Sequence, residues 1–376
     1  MSLLKKLKIK KDLFLLLALL LPTGLQAWPG EDVELKREET RTFELAPGST
    51  LDLRNQYGYI KVEQGGGKTA EIKVTIIAKG KDEEAAKKTL DRIDADFALE
   101  GNYLTVQTLF DKSESKMTGL LRNIADFSKN LFSEGNLQIN YSLRVPAGIK
   151  LVLTHKNGNI TLGDLDCQVQ ADLQDGHLAA EKLQADCRIV LGASSASIKE
   201  MGYGFFELKT STLQVEKLEK ADIHSNLAGS TINIITAGEV YLDTQNDQIE
   251  LKEVKSVTGK SSLSKITVGQ LQERGTLEVS FGSLQIQQVA SDFTDLLVTS
   301  KSADVDIKFH EKAVFKADIE AKADKLEMPQ WSLKKTWLDE NRKTVKYSGV
   351  AGAAKAESAS SRFTLRASSG SITLKN

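Results

Sequence analysis

Asn157-Gly158-Asn159-Ile160, Asp175-Gly176-His177-Leu178, Asn246-Asp247-Gln248-Ile249 and Phe281-Gly282-Ser283-Leu284 repeat one phrase, a small or polar turn running into a strand. The apolar residue that opens each strand falls at Ile160, Leu178, Ile198, Val215, Ile232, Ile249, Ile266, Leu284 and Val305. Successive spacings are 18, 20, 17, 17, 17, 17, 18 and 21. A constant short period means one supersecondary unit stacked many times, because a single unit cannot bury its own apolar face.

Within a coil, apolar residues fall at positions 0, +2 and +5 after the turn, as in Ile160, Leu162, Leu165 and in Ile249, Leu251, Val254. A matching alternation precedes each turn at Leu151 and Leu153, Ile189 and Leu191, Val240 and Leu242, Leu277 and Val279. Period two places these side chains on one face and the intervening polar ones on the other. The nearly constant phase favours parallel stacking over an antiparallel meander, since each coil must set its inward residues over those of the coil below. The fold class read from this is all-β, a parallel β-helix or β-solenoid with short coils of 17–21 residues. Two coils fit less well, because Glu200 and Lys217 stand where inward residues belong; a bulge or irregular corner is expected there.

The repeat reaches further than its core. Leu51, Leu53, Gly58, Ile60 and Val62 recur as Leu151, Leu153, Gly158, Ile160 and Leu162, each set introduced by Pro-Gly or Pro-Ala-Gly. One or two helical insertions near the N-terminus separate the copies. Residues 82–93 are rich in Glu, Ala and Lys, with Asp82 as N-cap. Strands around 97–99 and 104–109 follow, joined at Gly101-Asn102. Residues 113–132 carry a helical stripe of Met117, Leu120, Leu121, Ile124, Phe127 and Leu131, read as an end cap or as a partner- or membrane-docking helix. The period breaks at 322–360, read as an irregular loop that caps the rod's side or binds a ligand, and resumes in a terminal coil at 361–376. The domain reading is thus a leader at 1–27, an N-terminal strand region at 28–145, solenoid coils at 146–321, the loop and the last coil.

The proline-glycine entries, the Gly-x-Ile coils, the small helical insertion and Ser369-Gly370-Ser371-Ile372 together resemble the bacterial putative-adhesin family of exported β-strand-repeat proteins of unknown function. The likeness covers about 43–374. It implies a parallel β-solenoid outside the cytoplasm and supplies no catalytic residue.

The ends and the composition bound the destination. Lys5, Lys6, Lys8, Lys10 and Lys11 precede a nine-residue apolar run, Leu13 to Leu21, which is too short to span a bilayer of ~30 Å. With Leu25-Gln26-Ala27 behind it, the segment reads as a signal peptide cleaved after Ala27, an uncleaved anchor being the competing reading. The chain has 50 basic and 51 acidic residues; the leader holds five Lys and one Asp, leaving 45 against 50, a net charge of −5. A mildly acidic body with interspersed signs has no electrostatic reason to hold nucleic acid. No second long apolar stretch follows, so no transmembrane span is expected after the leader. The localisation read from this is exported: periplasm, outer surface or secreted.

Candidate chemistry is sparse. Cys167 and Cys187 each lie eleven residues before an opener, so they are expected to share a phase and stack, either as a disulfide or as two buried thiols. His155, His177, His224 and His310 share no phase and read as solvated corner residues. Asp164, Asp166, Asp172, Asp175, Glu181 and Asp186 crowd together, which reads as a solvated edge or, less well, as a calcium site. Gly65-Gly66-Gly67-Lys68-Thr69 fails as a phosphate loop, because the first required glycine falls at Val62; it reads as a hairpin-type connection. No catalytic residue, cofactor or metal is assigned.

The function read from the sequence is a non-catalytic exported β-solenoid serving as an adhesion, scaffolding or envelope-interaction module, with a cell-surface glycan or envelope protein as partner. The rival is a carbohydrate-active β-helix enzyme, a polysaccharide lyase or hydrolase. It needs carboxylates and aromatic platforms repeated at one outward phase, and the pattern is poor in outward aromatics. A third reading is an accessory or sensor protein of an envelope-stress system.

Overall fold

The structure is a computed structural model that describes residues 32–110, 136–226, 229–352 and 359–376. The leader with its cleavage position Ala27 and the helical stripe of 113–132 lie outside these residues. The chain opens with β1 (Val33–Glu44), β2 (Thr50–Gln64) and β3 (Thr69–Gly80), then α1 (Glu83–Leu90), β4 (Asp94–Glu100), β5 (Tyr103–Leu109) and β6 (Leu137–Val145). The coils follow as β7 (Lys150–Leu165), β8 (Gln168–Leu183), β9 (Cys187–Gly192), β10 (Ser195–Lys209), β11 (Thr212–Ser225), β12 (Thr231–Gln245), β13 (Gln248–Ser262) and β14 (Lys265–Ser280). Shorter strands complete the chain: β15 (Ser283–Val289), β16 (Asp295–Lys301), β17 (Asp304–Phe309), β18 (Val314–Lys322), β19 (Leu326–Glu327), β20 (Lys334–Asp339), β21 (Thr344–Gly352), β22 (Ser361–Ala367) and β23 (Ile372–Lys375).

From β7 to β17 every pairing between coils is parallel, which makes the body a β-solenoid. Each coil adds one rung to a leading face, before its sharp corner, and one to a trailing face, after it. The corner is a column of left-handed residues: Asn157, Asp175, Ala193, Thr210, Gly229, Asn246, Leu263, Phe281 and Ser302, with φ between 48° and 67°. The turn phrase in the sequence is this column. The residue after it is small for a different reason. A Cβ on Gly158 or Gly176 would overlap the carbonyl oxygen of the glycine one coil below.

After Ala193, Thr210, Gly229, Asn246 and Leu263 that position is Ser or Asp, and a buried ladder results. Ser194 Oγ accepts from Gly176 N at 3.2 Å, Ser211 Oγ from Ser194 N at 3.2 Å, and Ser230 Oγ from Ser211 N at 3.3 Å. Asp247 continues it by accepting from Ser230 N at 2.6 Å, and Ser264 Oγ accepts from Asp247 N at 3.1 Å. Buried polar groups need partners, and here each rung supplies the next.

The register corrects the phase at two coils. Leu178 pairs with Ala196, not Ile198, and Ile232 pairs with Leu213, not Val215. The openers are therefore Leu178, Ala196, Leu213 and Ile232, at spacings of 18, 17 and 19. The inward sets become Ala196, Ile198, Met201 and Leu213, Val215, Leu218, all buried. Positions 0, +2 and +5 hold in both coils, and the irregularity expected at Glu200 and Lys217 is absent. At Ala196 the small opener was the disguise, because Ile198 carries the stronger apolar signal two residues later. At Leu213 the phase was missed although the opener is large, because Val215 lies 17 residues from both Ile198 and Ile232.

The hundred-residue echo is literal contact. Leu51, Leu53, Gly58, Ile60 and Val62 pair in parallel with Leu151, Leu153, Gly158, Ile160 and Leu162. Beyond β2 the rod ends in mixed sheet. The β4–β5 hairpin extends the leading face, and β6, β3 and β1 extend the trailing face. Gly65 to Lys68 do not close a hairpin, because β6 lies between β2 and β3. Helix α1 begins where expected, with Asp82 Oδ1 accepting from Ala85 N at 2.8 Å, and buries Ala86, Thr89 and Leu90. It stops at Leu90, before the expected end at 93.

At the other end the last strands in sequence are not last in space. β22 lies between β16 and β18, and β23 between β17 and β19, all parallel. The segment expected as irregular loop carries β19, β20 and β21, of which β21 and β20 continue the leading face as antiparallel strands. The core is mostly aliphatic along the coils, Phe206 being a buried exception, and becomes densely aromatic here. Phe309 stacks on Phe315 at 4.3 Å between centroids, with Phe293, Phe363 and Trp331 around them.

Candidate functional site

The 0, +2, +5 pattern has an external consequence. Positions +3 and +4 both point outward, so the alternation of each trailing rung breaks between them and the rung bends there. Stacked kinks leave a trough along the axis. One wall is the +1 row, Ala179, Ser197, Gln214, Asn233 and Glu250, held in register by adjacent coils. The other is the +3 row, Glu181, Lys199, Glu216, Ile235 and Lys252, and the floor comes from Ala180, Ile198, Val215 and Ile234. The trough has a volume of about 450 Å³.

Its charges face one another. Lys199 Nζ lies 2.5 Å from Glu181 Oε2, which raises the lysine's pKa. In the adjoining row Glu200 Oε1 lies 3.4 Å from both Lys182 and Lys217, whose hydrogen bonds hold its carboxyl below the usual range. A carboxyl held ionised in this way, as that of Glu200 is, is poorly suited to donate a proton, which a glycosidic general acid must do. Ile235 interrupts the charged row and is 45% exposed.

The leading face carries a second surface. Arg188 lies over the Phe205 ring at 4.8 Å, and on successive coils the His224 ring is tilted against those of Phe205 and Tyr241, at 4.9 and 5.9 Å between centroids. The outward aromatics, few in the sequence reading, are gathered here: Phe205 and Tyr241 both pair with Asp222, and His224 lies diagonal to each. Beside them lies a shallower trough of about 480 Å³ bordered by Lys220, Asp222, Glu239 and Arg274. Tyr203 Oη donates to Asp222 at 2.6 Å, and that bond pushes the phenol up to about 12.

The expected site residues are distributed differently. Cys187 pairs with Val169, so Cys167 stands two residues out of phase with it; the misplaced opener at Ile198 had produced the apparent alignment. Both side chains are buried, and burial pushes their thiols up to about 12 for Cys167 and about 11 for Cys187. His155 is not a solvated corner residue. It is fully buried, with Nδ1 3.3 Å from Asn55 O and Nε2 3.2 Å from Gly58 O. Burial outweighs those contacts and lowers its pKa. His177, His224 and His310 are half-buried at the surface, His177 with Nδ1 2.8 Å from Ser195 Oγ. Among the described residues, no group of three or more His, Cys, Asp or Glu is arranged to hold a metal ion. No helix among them is long and apolar enough to cross a membrane.

The serine ladder and the buried histidine were missed by sequence reasoning. The ladder had a signal, since serine recurs at 194, 211, 230 and 264 immediately after each corner. His155 had one too, because it lies at period two from Leu151 and Leu153.

No protein-family description and no curated protein matches the chain. Among solved structures, a "putative cell adhesion protein" from Clostridium sporogenes is 10% identical over 91% of this chain and 99% of its own, with a TM-score of 0.20. A "putative adhesin" from Bacteroides fragilis is 16% identical over 73% and 97%, at 0.28. A "putative lipid binding protein" from Parabacteroides distasonis is 11% identical over 73% and 94%, at 0.32. The solenoid is established by the strand register of this chain, not by these likenesses.

Proposed function

We propose that the chain is an exported, non-catalytic β-solenoid that serves as an adhesion, scaffolding or envelope-interaction module and engages an extended partner along its axis. The observation that carries this reading is the trailing trough, which crosses five coils as a shaped surface, with Glu181 in its wall and Glu200 beside it paired to lysines. A surface repeated once per coil favours a partner that is itself repetitive or extended. The basic leader, its short apolar run and Ala27 support export with cleavage after Ala27.

Binding of the mature protein to isolated envelope fractions and to a glycan array, with a parallel polysaccharide-degradation assay, tests the proposal. Retention without release of reducing or unsaturated ends is the expected result. Release of such ends overturns the non-catalytic reading in favour of a β-helix lyase or hydrolase.

A further inference from the structure

We infer that the trailing trough is the seat of an uncharged polysaccharide chain lying along the solenoid axis, one sugar ring per coil. The inference rests on the reading of the chain as a binding module and names what that module binds.

Three features converge on this ligand class. The first is the repeat. Rungs rise ~4.8 Å, so the five coils bordering the trough span ~19 Å between first and last. A pyranose ring in an extended chain advances by nearly one rung, so successive rings stay beside successive coils across the trough. An extended peptide advances ~3.3 Å per residue and drifts out of phase with the coils within a few residues.

The second is charge. The lining holds Glu181, Lys199, Glu216, Glu250 and Lys252, two cations among three anions, with Glu181 paired to Lys199. No run of one sign exists to hold a polyanion, and anionic chains require such a run. The third is chemistry. The +1 wall presents a hydroxyl at Ser197 and amides at Gln214 and Asn233 on successive coils. Each of these groups both donates and accepts, which matches the dual role of sugar hydroxyls. The apolar floor and the exposed Ile235 lie against them, so a ring can place its C–H face on Ile235 and its hydroxyls on the amides.

The test uses the mature full-length protein with β-1,4-linked gluco- and manno-oligosaccharides from disaccharide to hexasaccharide, measured by calorimetry at low and high salt. Polygalacturonate is the charged control. Affinity should rise with chain length, level off once the five coils are filled and change little with salt. Ser197→Trp, which fills the trough, and Ile235→Asp, which makes its wall polar, should each weaken the hexasaccharide about tenfold or more. Both positions face outward, and strand circular dichroism with an unchanged unfolding midpoint verifies that the coils are intact. Neutral chains bound equally well by both variants overturn the assignment of the trough. Binding of polygalacturonate alone, with steep salt dependence, overturns the uncharged class. Retention on envelope fractions without affinity for any neutral chain overturns this inference and leaves the module reading standing. Loss of retention on envelopes as well removes both.

Discussion

At the residue scale, the fold is decided by what each corner column tolerates. The left-handed position is cheap for glycine and acceptable for Asn and Asp, but costs other residues about 1–2 kcal/mol. Asn157, Asp175, Gly229 and Asn246 obey this, whereas Thr210, with φ 49°, is β-branched, exposed and makes no compensating bond with its side chain. Thr210→Asn should therefore stabilise the protein by about 0.5–1 kcal/mol, read as a higher urea midpoint at unchanged slope. His155 makes the opposite statement about the interior. A neutral imidazole has one N–H, and both of its neighbours are carbonyl oxygens, so protonation would satisfy a second contact; burial nevertheless disfavours the cation. Its folded pKa lies below the ordinary 6.5, so its contribution is present above 6.5 and is lost as pH falls from there through the folded value. Unfolding midpoints measured between pH 7 and about 5 should fall, and His155→Leu, which copies Leu173 and Leu191 of the same inward column, should flatten that slope. An equally steep fall in the variant would assign the pH dependence elsewhere.

At the element scale, the rungs are held by the aliphatic column and by the serine ladder together. Burying one Leu or Ile contributes roughly 1.5–3 kcal/mol, and every coil contributes several. The ladder contributes differently, because each hydroxyl serves two coils. Ser211 Oγ accepts from Ser194 N and donates to Lys209 O at 2.8 Å, and Ser211 is 4% exposed. Ser211→Ala should leave the Ser194 N–H buried without that acceptor and cost about 1–3 kcal/mol by chemical denaturation, more than an exposed Ser→Ala would. Strand periodicity was legible in the sequence where large openers recur at a constant spacing. Ile232, Ile249 and Ile266 pair with one another as their spacing requires. Where the opener shrank to Ala196, the apolar pattern locked onto the next inward residue, and a two-residue slip preserves period two. Such a slip keeps every side chain on its proper face, so hydrophobic alternation cannot detect it; only hydrogen-bonded pairing can. The same slip carried Cys167 falsely over Cys187. The candidate trough was invisible for a related reason, being made of the kinks between rungs rather than of any one motif.

At the scale of the whole molecule, the decisive feature is the insertion of the C-terminal strands between two coils that precede them. Leu296 pairs with Phe363, which pairs with Ala317, and Val305 pairs with Ile372, which pairs with Leu326. Leu296 to Ala317 and Val305 to Leu326 are both 21 residues, the spacing that already separates the paired Leu284 and Val305. In sequence, the coil at 314–327 therefore reads as the direct successor of the coil at 295–309, and nothing in its period reports that a rung has been placed between them. The inserted strands are tied on both sides. Lys375 Nζ reaches Asp306 at 2.8 Å and Ser371 Oγ donates to Asp304 at 2.6 Å on one side, while Arg366 Nη1 lies 3.1 Å from Asp318 on the other. Phe363 fills the aromatic cluster from the inserted rung, within 5.0 Å of Phe309 between centroids. In a solenoid, stability is approximately a sum of coil and nearest-neighbour terms, so removing this rung should act locally. Deleting residues 359–376 should abolish hydrogen-exchange protection in β16 to β19, β20 and β21, while β7 to β12 keep theirs. The deletion should also expose the Phe309, Phe315 and Trp331 cluster, read as a red-shifted tryptophan emission. Uniform loss of protection along the whole rod would contradict the additive picture and make the inserted strands the clasp on which every coil depends.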